Sequence, residues 1–224
     1  MVILPGLTTT VHTLPPIFIE ELKISTCRAI SLFPTCMNTD QRQDLYRELE
    51  TIPGLKIPHV HLRTDMKDEE IEYLMKRFSS EVFNIHPGKS EHPYIPESEK
   101  YLKKIYIENS GEVPEEEELT RYGGLCIDYS HWENGILQEN PSYGDFETLA
   151  QKFPIGCCHL SAIMLDEKSP WGGFDHHHFR STADMIFLKK YQDFLPPRWL
   201  SMELENSLPQ QLEAKAFLEN LFWS

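Results

Sequence analysis

The stretch IYIENSGEVPEEEELTRYGGLCIDYSH, residues 105–131, decides the fold. It contains two short apolar runs, and each ends in a residue that can ligate a metal, Glu108 in the first and Asp128 in the second. Between them lies the acidic run Glu115–Glu118, which suits the positive end of a helix. A strand, a helix and a second strand in this order predict two parallel strands whose carboxyl ends meet at the same edge of a sheet.

Similar units of strand and helix occur along the rest of the chain. Eight candidate strands can be counted: Val2–Thr8, Ala29–Phe33, Lys56–Leu62, Glu81–His86, Lys104–Glu108, Gly124–Asp128, Ile155–Ser161 and Trp199–Glu205. Helical periodicity is found in Asp40–Ile52, Lys67–Ser79, Pro96–Lys103, Phe146–Phe153, Thr182–Phe194 and Pro209–Phe222. Alternation of this kind is typical of a parallel sheet with crossover helices.

Eight such units favour a closed (β/α)8 TIM barrel, compact and with short loops, over an open doubly wound α/β sheet. The sequence contains neither Gly-x-Gly-x-x-Gly nor a phosphate-loop lysine motif, so no nucleotide-binding signature supports the open sheet. We find no internal repeat and no low-complexity linker among the 224 residues. The chain is therefore expected to form a single domain over residues 1–224.

Composition narrows the class of protein. With 40% apolar and 25% charged residues, the chain is expected to be a soluble, cytoplasmic protein. Its apolar runs fall short of the roughly 20 residues that cross a bilayer, and its first residues lack the basic segment of an export signal. The five cysteines are expected to be reduced. The net charge of -14 argues against a broad electropositive surface for nucleic acid, although bound divalent cations would make one patch positive.

Residue types that ligate metals are found at the ends of six predicted strands. They are His59 and His61 on the third strand, His86 after the fourth, Glu108 after the fifth, Asp128 and His131 after the sixth, His159 in the seventh and Glu205 after the eighth. A loop after the seventh strand adds Asp175-His176-His177-His178. Residues two apart on a strand face the same side, so His59 and His61 compete for one role.

Each of these residues has a plainer interpretation on its own. A single histidine at a strand end is more often a satisfied polar side chain, and a single carboxylate there is more often a helix cap. Six strands that each deliver such a residue at the same end are not expected by chance. An apolar strand also gains nothing from burying an ionisable group unless a cation or a partner offsets the desolvation cost. The pattern therefore predicts a metal centre.

The donor set also indicates which metals would bind. Imidazoles and carboxylates without thiolates suit zinc foremost, with manganese, iron or cobalt as alternatives. No Cys-x-x-Cys is present, and the adjacent Cys157 and Cys158 diverge across their strand. The number of donors on one rim is enough for one to three divalent ions per chain.

The order and spacing of these motifs between Lys56 and Phe222 resemble the xylose-isomerase-like TIM-barrel superfamily. That superfamily includes sugar isomerases and epimerases as well as the zinc-dependent abasic-site nuclease endonuclease IV. The resemblance implies a shared four-ligand set of Glu108, Asp128, His159 and Glu205, with His131 against the substrate. The nuclease branch further implies a trinuclear set that adds His59, His86, His131, Asp175 and His177.

The chain also departs from the nuclease pattern. The segment after the third-strand histidine reads VHLRTD, residues 60–65, where the nuclease carries a tyrosine and an asparagine used in positioning. The early loops that would grip a duplex look short, and the chain is smaller than a typical family member. The metal chemistry is therefore expected to carry over without the DNA substrate.

Two activities fit the predicted centre. The first is phosphoester hydrolysis, in which ions activate water and hold phosphate oxygens, with a basic residue such as Arg63, Lys89 or Arg180 on the phosphate. The alternative is a sugar or sugar-phosphate isomerase or epimerase with one ion. There Glu108 and Glu205 would exchange a proton at carbon, and His131 would contact the substrate.

Both activities imply the same kind of partner. The substrate is expected to be a small phosphorylated or sugar molecule in preference to duplex DNA, with no membrane involved. A third interpretation is a barrel that has kept the scaffold and lost turnover, because a fold does not fix a function.

Overall fold

A computed structural model describes residues 1–9, 15–170 and 172–223 of the chain. Its strands are β1 (Val2–Leu4), β2 (Gly6–Thr8), β3 (Ala29–Phe33), β4 (Lys56–His61), β5 (Val82–Ile85), β6 (Ile105–Glu108), β7 (Leu125–Asp128), β8 (Ile155–Leu160), β9 (Ala162–Ile163), β10 (Asp175–His176) and β11 (Trp199–Met202). Strands β9 and β10 form a separate antiparallel pair. The others form one parallel sheet in the order β1-β11-β8-β7-β6-β5-β4-β3-β2.

The sheet closes through its first strand segment. Strand β1 pairs with β11 and β2 pairs with β3, so the two halves of one short segment join both ends of the sheet. The (β/α)8 TIM barrel predicted from the sequence is confirmed. Because all strands of the barrel run in parallel, their carboxyl ends share one rim, and the donor residues are found there.

Helices cover the outside of the barrel. They are α1 (Pro15–Ile24), α2 (Thr39–Glu50), α3 (Asp68–Phe78), α4 (Glu116–Arg121), α5 (Tyr129–Leu137), α6 (Phe146–Lys152) and α7 (Leu208–Trp223), with 3₁₀ segments at Leu102–Lys104, Pro141–Tyr143 and Thr182–Phe194. None of the helices in the described parts of the chain combines the length and the apolar character needed to cross a bilayer.

The helix predicted over Pro96–Lys103 is not formed, and only the 3₁₀ turn at its end is helical. The side chain of Ser98 instead accepts a hydrogen bond from the backbone N–H of Lys100 at 3.2 Å and donates to Asp68. Such local side-chain bonds offer the backbone an alternative to helical pairing. The segment Thr182–Phe194 is helical as predicted, but its turns have 3₁₀ geometry.

A glutamine in the last helix stabilises the point at which the barrel closes. Gln211 is fully buried, and its side-chain oxygen accepts a hydrogen bond from the N–H of Gly6 at 2.7 Å. Its side-chain nitrogen donates to the carbonyls of Gly6, Leu204 and Asn206. A Cβ on Gly6 would lie 1.8 Å from the carbonyl oxygen of Met202, so only glycine permits this close approach.

Candidate metal centre

Four buried side chains meet at the carboxyl rim: Glu108, Asp128, His159 and Glu203. One potential ligand atom from each lies within 4.8 Å of the others. Strands β6 and β7 end on Glu108 and Asp128, His159 is near the end of β8, and Glu203 directly follows β11. The Nδ1 atom of His159 lies 3.0 Å from Glu203, 3.5 Å from Glu108 and 3.6 Å from Asp128.

The residues of this first donor group fit a divalent cation. The Nε2 atom of His159 and the Oδ2 atom of Asp128 are buried and form no hydrogen bond within the described ranges of the chain, and Nδ1 of His159 meets only carboxylates. Buried polar atoms are nearly always hydrogen-bonded, and three carboxylates at this spacing repel one another. A cation among them would satisfy the free lone pairs and neutralise the charge, and oxygen and imidazole donors suit the metals predicted from the sequence.

The electrostatics of the group keep its carboxylates ionised. Burial opposes ionisation of Asp128, but His131 and His159 lower its pKa to about 2. Burial likewise opposes the charge on Glu108, and His159 and His61 bring the pKa of that carboxyl well below its usual value. Ionised oxygens are the form that a metal requires.

A second donor group shares Glu108 with the first. His61, His86 and Glu108 each place a potential ligand atom within 4.8 Å of the others. The Nε2 atom of His61 lies 3.1 Å from Oε2 of Glu108, whereas the His159 side of the first group faces Oε1. Burial lowers the pKa of His86 to about 4, which keeps the imidazole neutral, as metal ligation requires. The two oxygens of the Glu108 carboxylate thus face two adjacent donor groups.

His131 stands beside both groups at the mouth of the barrel. Its Nδ1 atom lies 3.0 Å from Oδ2 of Asp175, and its Nε2 atom lies 4.0 Å from Glu108 and 3.9 Å from Asp128. Burial alone would lower the pKa of His131, but Asp128, Asp175 and Glu108 together raise it to about 10. The ring is therefore held by Asp175 with its other nitrogen turned toward the donors.

Of the further ligands implied by the resemblance to the nuclease branch, only some are brought together. His131 and Asp175 are in contact, but His177 joins no group of three or more donors within the described residues. The backbone carbonyl of His177 accepts a hydrogen bond from the N–H of Glu205 at 2.5 Å.

Two of the predicted ligands, His59 and Glu205, lie outside both of these donor groups. His59 is buried below the rim, where Nδ1 contacts Ser201 Oγ at 2.7 Å and Nε2 contacts Asn84 Oδ1 at 2.9 Å. The histidine that reaches the second donor group is His61. Likewise, Glu205 lies in none of the donor groups found among the described residues, and Glu203 takes that place because β11 ends at Met202.

A pocket of about 290 Å³ opens next to the second group. His61 and His86 lie on one side of it, and Arg63 and His92 also line it. Arg63 is the only one of the three predicted phosphate-binding residues that lines it. Lys89 and Arg180 lie elsewhere. All three basic residues are paired with carboxylates, Lys89 with Glu115, Arg180 with Asp166 and Arg63 with Asp65.

The fold and the site define a TIM barrel with imidazole and carboxylate donors gathered at its carboxyl rim. The crystal structure of SacUVDE, a UV damage endonuclease, matches 99% of this chain and 99% of that chain with a TM-score of 0.52 and 14% sequence identity. The match confirms the barrel fold. No family model and no curated protein matches the sequence.

This match corrects the substrate expected from the sequence. A small sugar or phosphorylated molecule was expected in preference to duplex DNA, but SacUVDE acts on DNA.

Proposed function

We propose that this protein is a metal-dependent phosphoester hydrolase that cleaves the backbone of damaged DNA. The observation that carries the proposal is the sharing of Glu108 by two adjacent donor groups. A bridging carboxylate between two ions is the arrangement of two-metal phosphoester hydrolases. The similarity of the fold to a UV damage endonuclease supports DNA as the substrate.

The two donor groups would hold the ions, and the residues around them orient the donors. Divalent ions bound there would activate water and stabilise the charge that develops on phosphate oxygens. The amide of Asn84 donates to Oε2 of Glu108 at 2.6 Å. Ser130 Oγ and the N–H of His131 both donate to Oδ1 of Asp128, so its Oδ2 is left for an ion.

His131 is the residue best placed to supply a proton. Asp175 fixes the ring through Nδ1, and Nε2 is turned toward Glu108 and Asp128. From this position the Nε2–H would donate to a phosphate or leaving-group oxygen that lies over the donors. Arg63, in the adjoining pocket, would contact a neighbouring phosphate of the strand.

The isomerase alternative has less support. It needs one ion and a pair of glutamates for proton transfer, and Glu108 and Glu203 of the first donor group would form that pair in place of Glu205. It leaves the group of His61 and His86 without a role.

The test uses three duplexes of one sequence: intact, with a UV photoproduct and with an abasic site. The protein is stripped with a chelator and reloaded with Zn²⁺ or Mn²⁺ in water enriched in ¹⁸O. We expect cleavage of a damaged strand by the loaded protein only, with one ¹⁸O in each new terminal phosphate. If none of the three duplexes is cleaved in any reaction, or if cleavage leaves no ¹⁸O in the new phosphate, the proposal is wrong.

A further inference from the structure

A further cluster of ligand-type side chains lies away from the two central groups. Glu167, His176 and His178 each place a potential ligand atom within 4.8 Å of the others. His176 is in β10, which pairs with β9 so that His176 stands opposite Ala162. Glu167 lies in the connection between these two strands, and the cluster therefore belongs to one hairpin.

The extended backbone of this hairpin separates the cluster from the centre. Successive side chains of a strand face opposite sides. Asp175 faces His131 and the central donors, whereas the ring of His176 contacts the ring of His178 at 5.3 Å between centroids and 80° between planes. The even-numbered histidines thus face away from the central donors, on a side that the proposed hydrolysis does not use; His176 is buried and His178 is partly buried there.

The contacts that these three side chains make within the protein are weak. The Nε2 atom of His176 lies 3.4 Å from the backbone carbonyl of Glu167, at the long limit of a hydrogen bond. The carboxylate of Glu167 lies 3.8 Å from the guanidinium of Arg180, and both side chains are about half exposed. Arg180 makes its shorter contact, 2.5 Å, with Asp166. An exposed pair of this kind contributes little, so it would not hold Glu167 against a cation.

We propose that Glu167, His176 and His178 bind one divalent transition-metal ion, of the zinc type, independently of the central groups. Two imidazoles and one carboxylate are a common zinc donor set, and they disfavour magnesium and calcium. Glu167 is exposed, so it can move toward the ion and a water molecule can complete the coordination. The ion would link the hairpin connection to β10 and so fix the segment that carries Asp175.

The buried group of His59, Cys126 and Cys157 is a weaker candidate. Both ring nitrogens of His59 already have hydrogen-bond partners, so this imidazole would have to give up one of them to bind a metal.

The experiment counts zinc ions in protein whose central groups have been disabled. In a Glu108→Gln, Glu203→Gln, His61→Ala triple variant, each central group keeps fewer than three donors. When this protein is stripped and then titrated with Zn²⁺ in a calorimeter, we expect one ion per chain to remain. Adding His178→Ala should remove it, whereas adding His92→Ala, at an exposed histidine outside every donor group, should not.

A second variant and a fold check keep the test decisive. Glu167→Gln, at an exposed side chain, should weaken the remaining Zn²⁺ affinity at least about tenfold, and Glu147→Gln on α6 is its matched control. Circular dichroism confirms that each variant is folded. A folded triple variant that binds no Zn²⁺, or an unchanged count with His178→Ala, would overturn this site. Neither result would bear on DNA cleavage, which is measured on the unaltered protein.

Discussion

At the scale of single residues, Glu203 and Glu205 allow a comparison of one glutamate inside the donor groups with one outside them. We expect Glu203→Gln to weaken metal binding at least about 100-fold and to abolish DNA cleavage, since it removes a buried carboxylate 3.0 Å from His159. Glu205→Gln, two residues further along and outside the donor groups, should keep both. Elemental analysis after desalting and the cleavage assay measure the two effects. Equal losses in the two variants would contradict the assignment of Glu203.

His59 and His61 allow a second comparison, in which the two effects are expected to separate. His61→Ala should lower the number of bound ions and the activity with little effect on folding, because the ring faces Glu108. His59→Gln should keep the ions but lower the free energy of unfolding by about 2 kcal/mol, since Ser201 and Asn84 lose a buried partner. Metal analysis and urea unfolding distinguish the two. Loss of metal from a folded His59→Gln protein would show that His59 is a ligand.

These two pairs also show how far the sequence can predict a site. Alternation along a strand predicts which side a residue faces, and both members of each pair share a side. Which member of a pair reaches the rim depends on its position along the barrel axis. That position is set by the residue at which the strand ends and by the register between neighbouring strands. Strand β11 ends at Met202, three residues before the predicted end, so Glu203 was missed.

At the scale of elements, strands were predicted well because each is a short apolar run with a polar boundary. Strand β3 was predicted at its observed limits. Strands β4, β6 and β7 differ from the prediction by one residue at one end, and β5 differs by one residue at each end. The segment 96–103 was not predicted correctly, because the side-chain bonds of Ser98 compete with helical pairing. That competition depends on a contact with Asp68, some 30 residues away, which a local pattern does not contain.

The hydrogen bonds of Gln211 at the closure of the barrel are expected to contribute to the stability of the fold. Gln211→Ala should lower the free energy of unfolding by about 3 kcal/mol, since it leaves the N–H of Gly6 and several buried carbonyls without their partner. Chemical unfolding followed by circular dichroism measures the loss. Glu213→Ala, at an exposed position two residues along the same helix, should change stability by less than about 0.5 kcal/mol. Alanine is the best helix former, so propensity favours both variants. A similar loss in both would mean that the buried contacts of Gln211 are not the cause.

At the scale of the whole molecule, the charge of the chain conflicts with a DNA substrate unless ions are bound. The chain carries a net charge of -14, and three of its carboxylates lie together at the centre. Like charges at an interface cost several kcal/mol, so bound cations would have to reverse the local potential. We expect a chelator to weaken binding of a damaged duplex at least about tenfold at constant ionic strength, measured by fluorescence anisotropy. Equal affinity with and without metal would mean that DNA binds away from the centre.

Removal of the ions should also destabilise the fold, because the buried carboxylates are then held close together without a cation. An ion at 100 times its dissociation constant stabilises a protein by about 2.7 kcal/mol, which corresponds to about 5–11 °C in Tm for a chain of this size. We expect a chelator to lower the Tm by that amount and added Zn²⁺ to restore it. Chelator already saturated with Zn²⁺ is the control for effects of the reagent. Glu203→Gln should show a much smaller shift, because the first donor group can no longer hold its ion. A chelator that strips the metal without changing the Tm would mean that the four donors at the rim do not carry it.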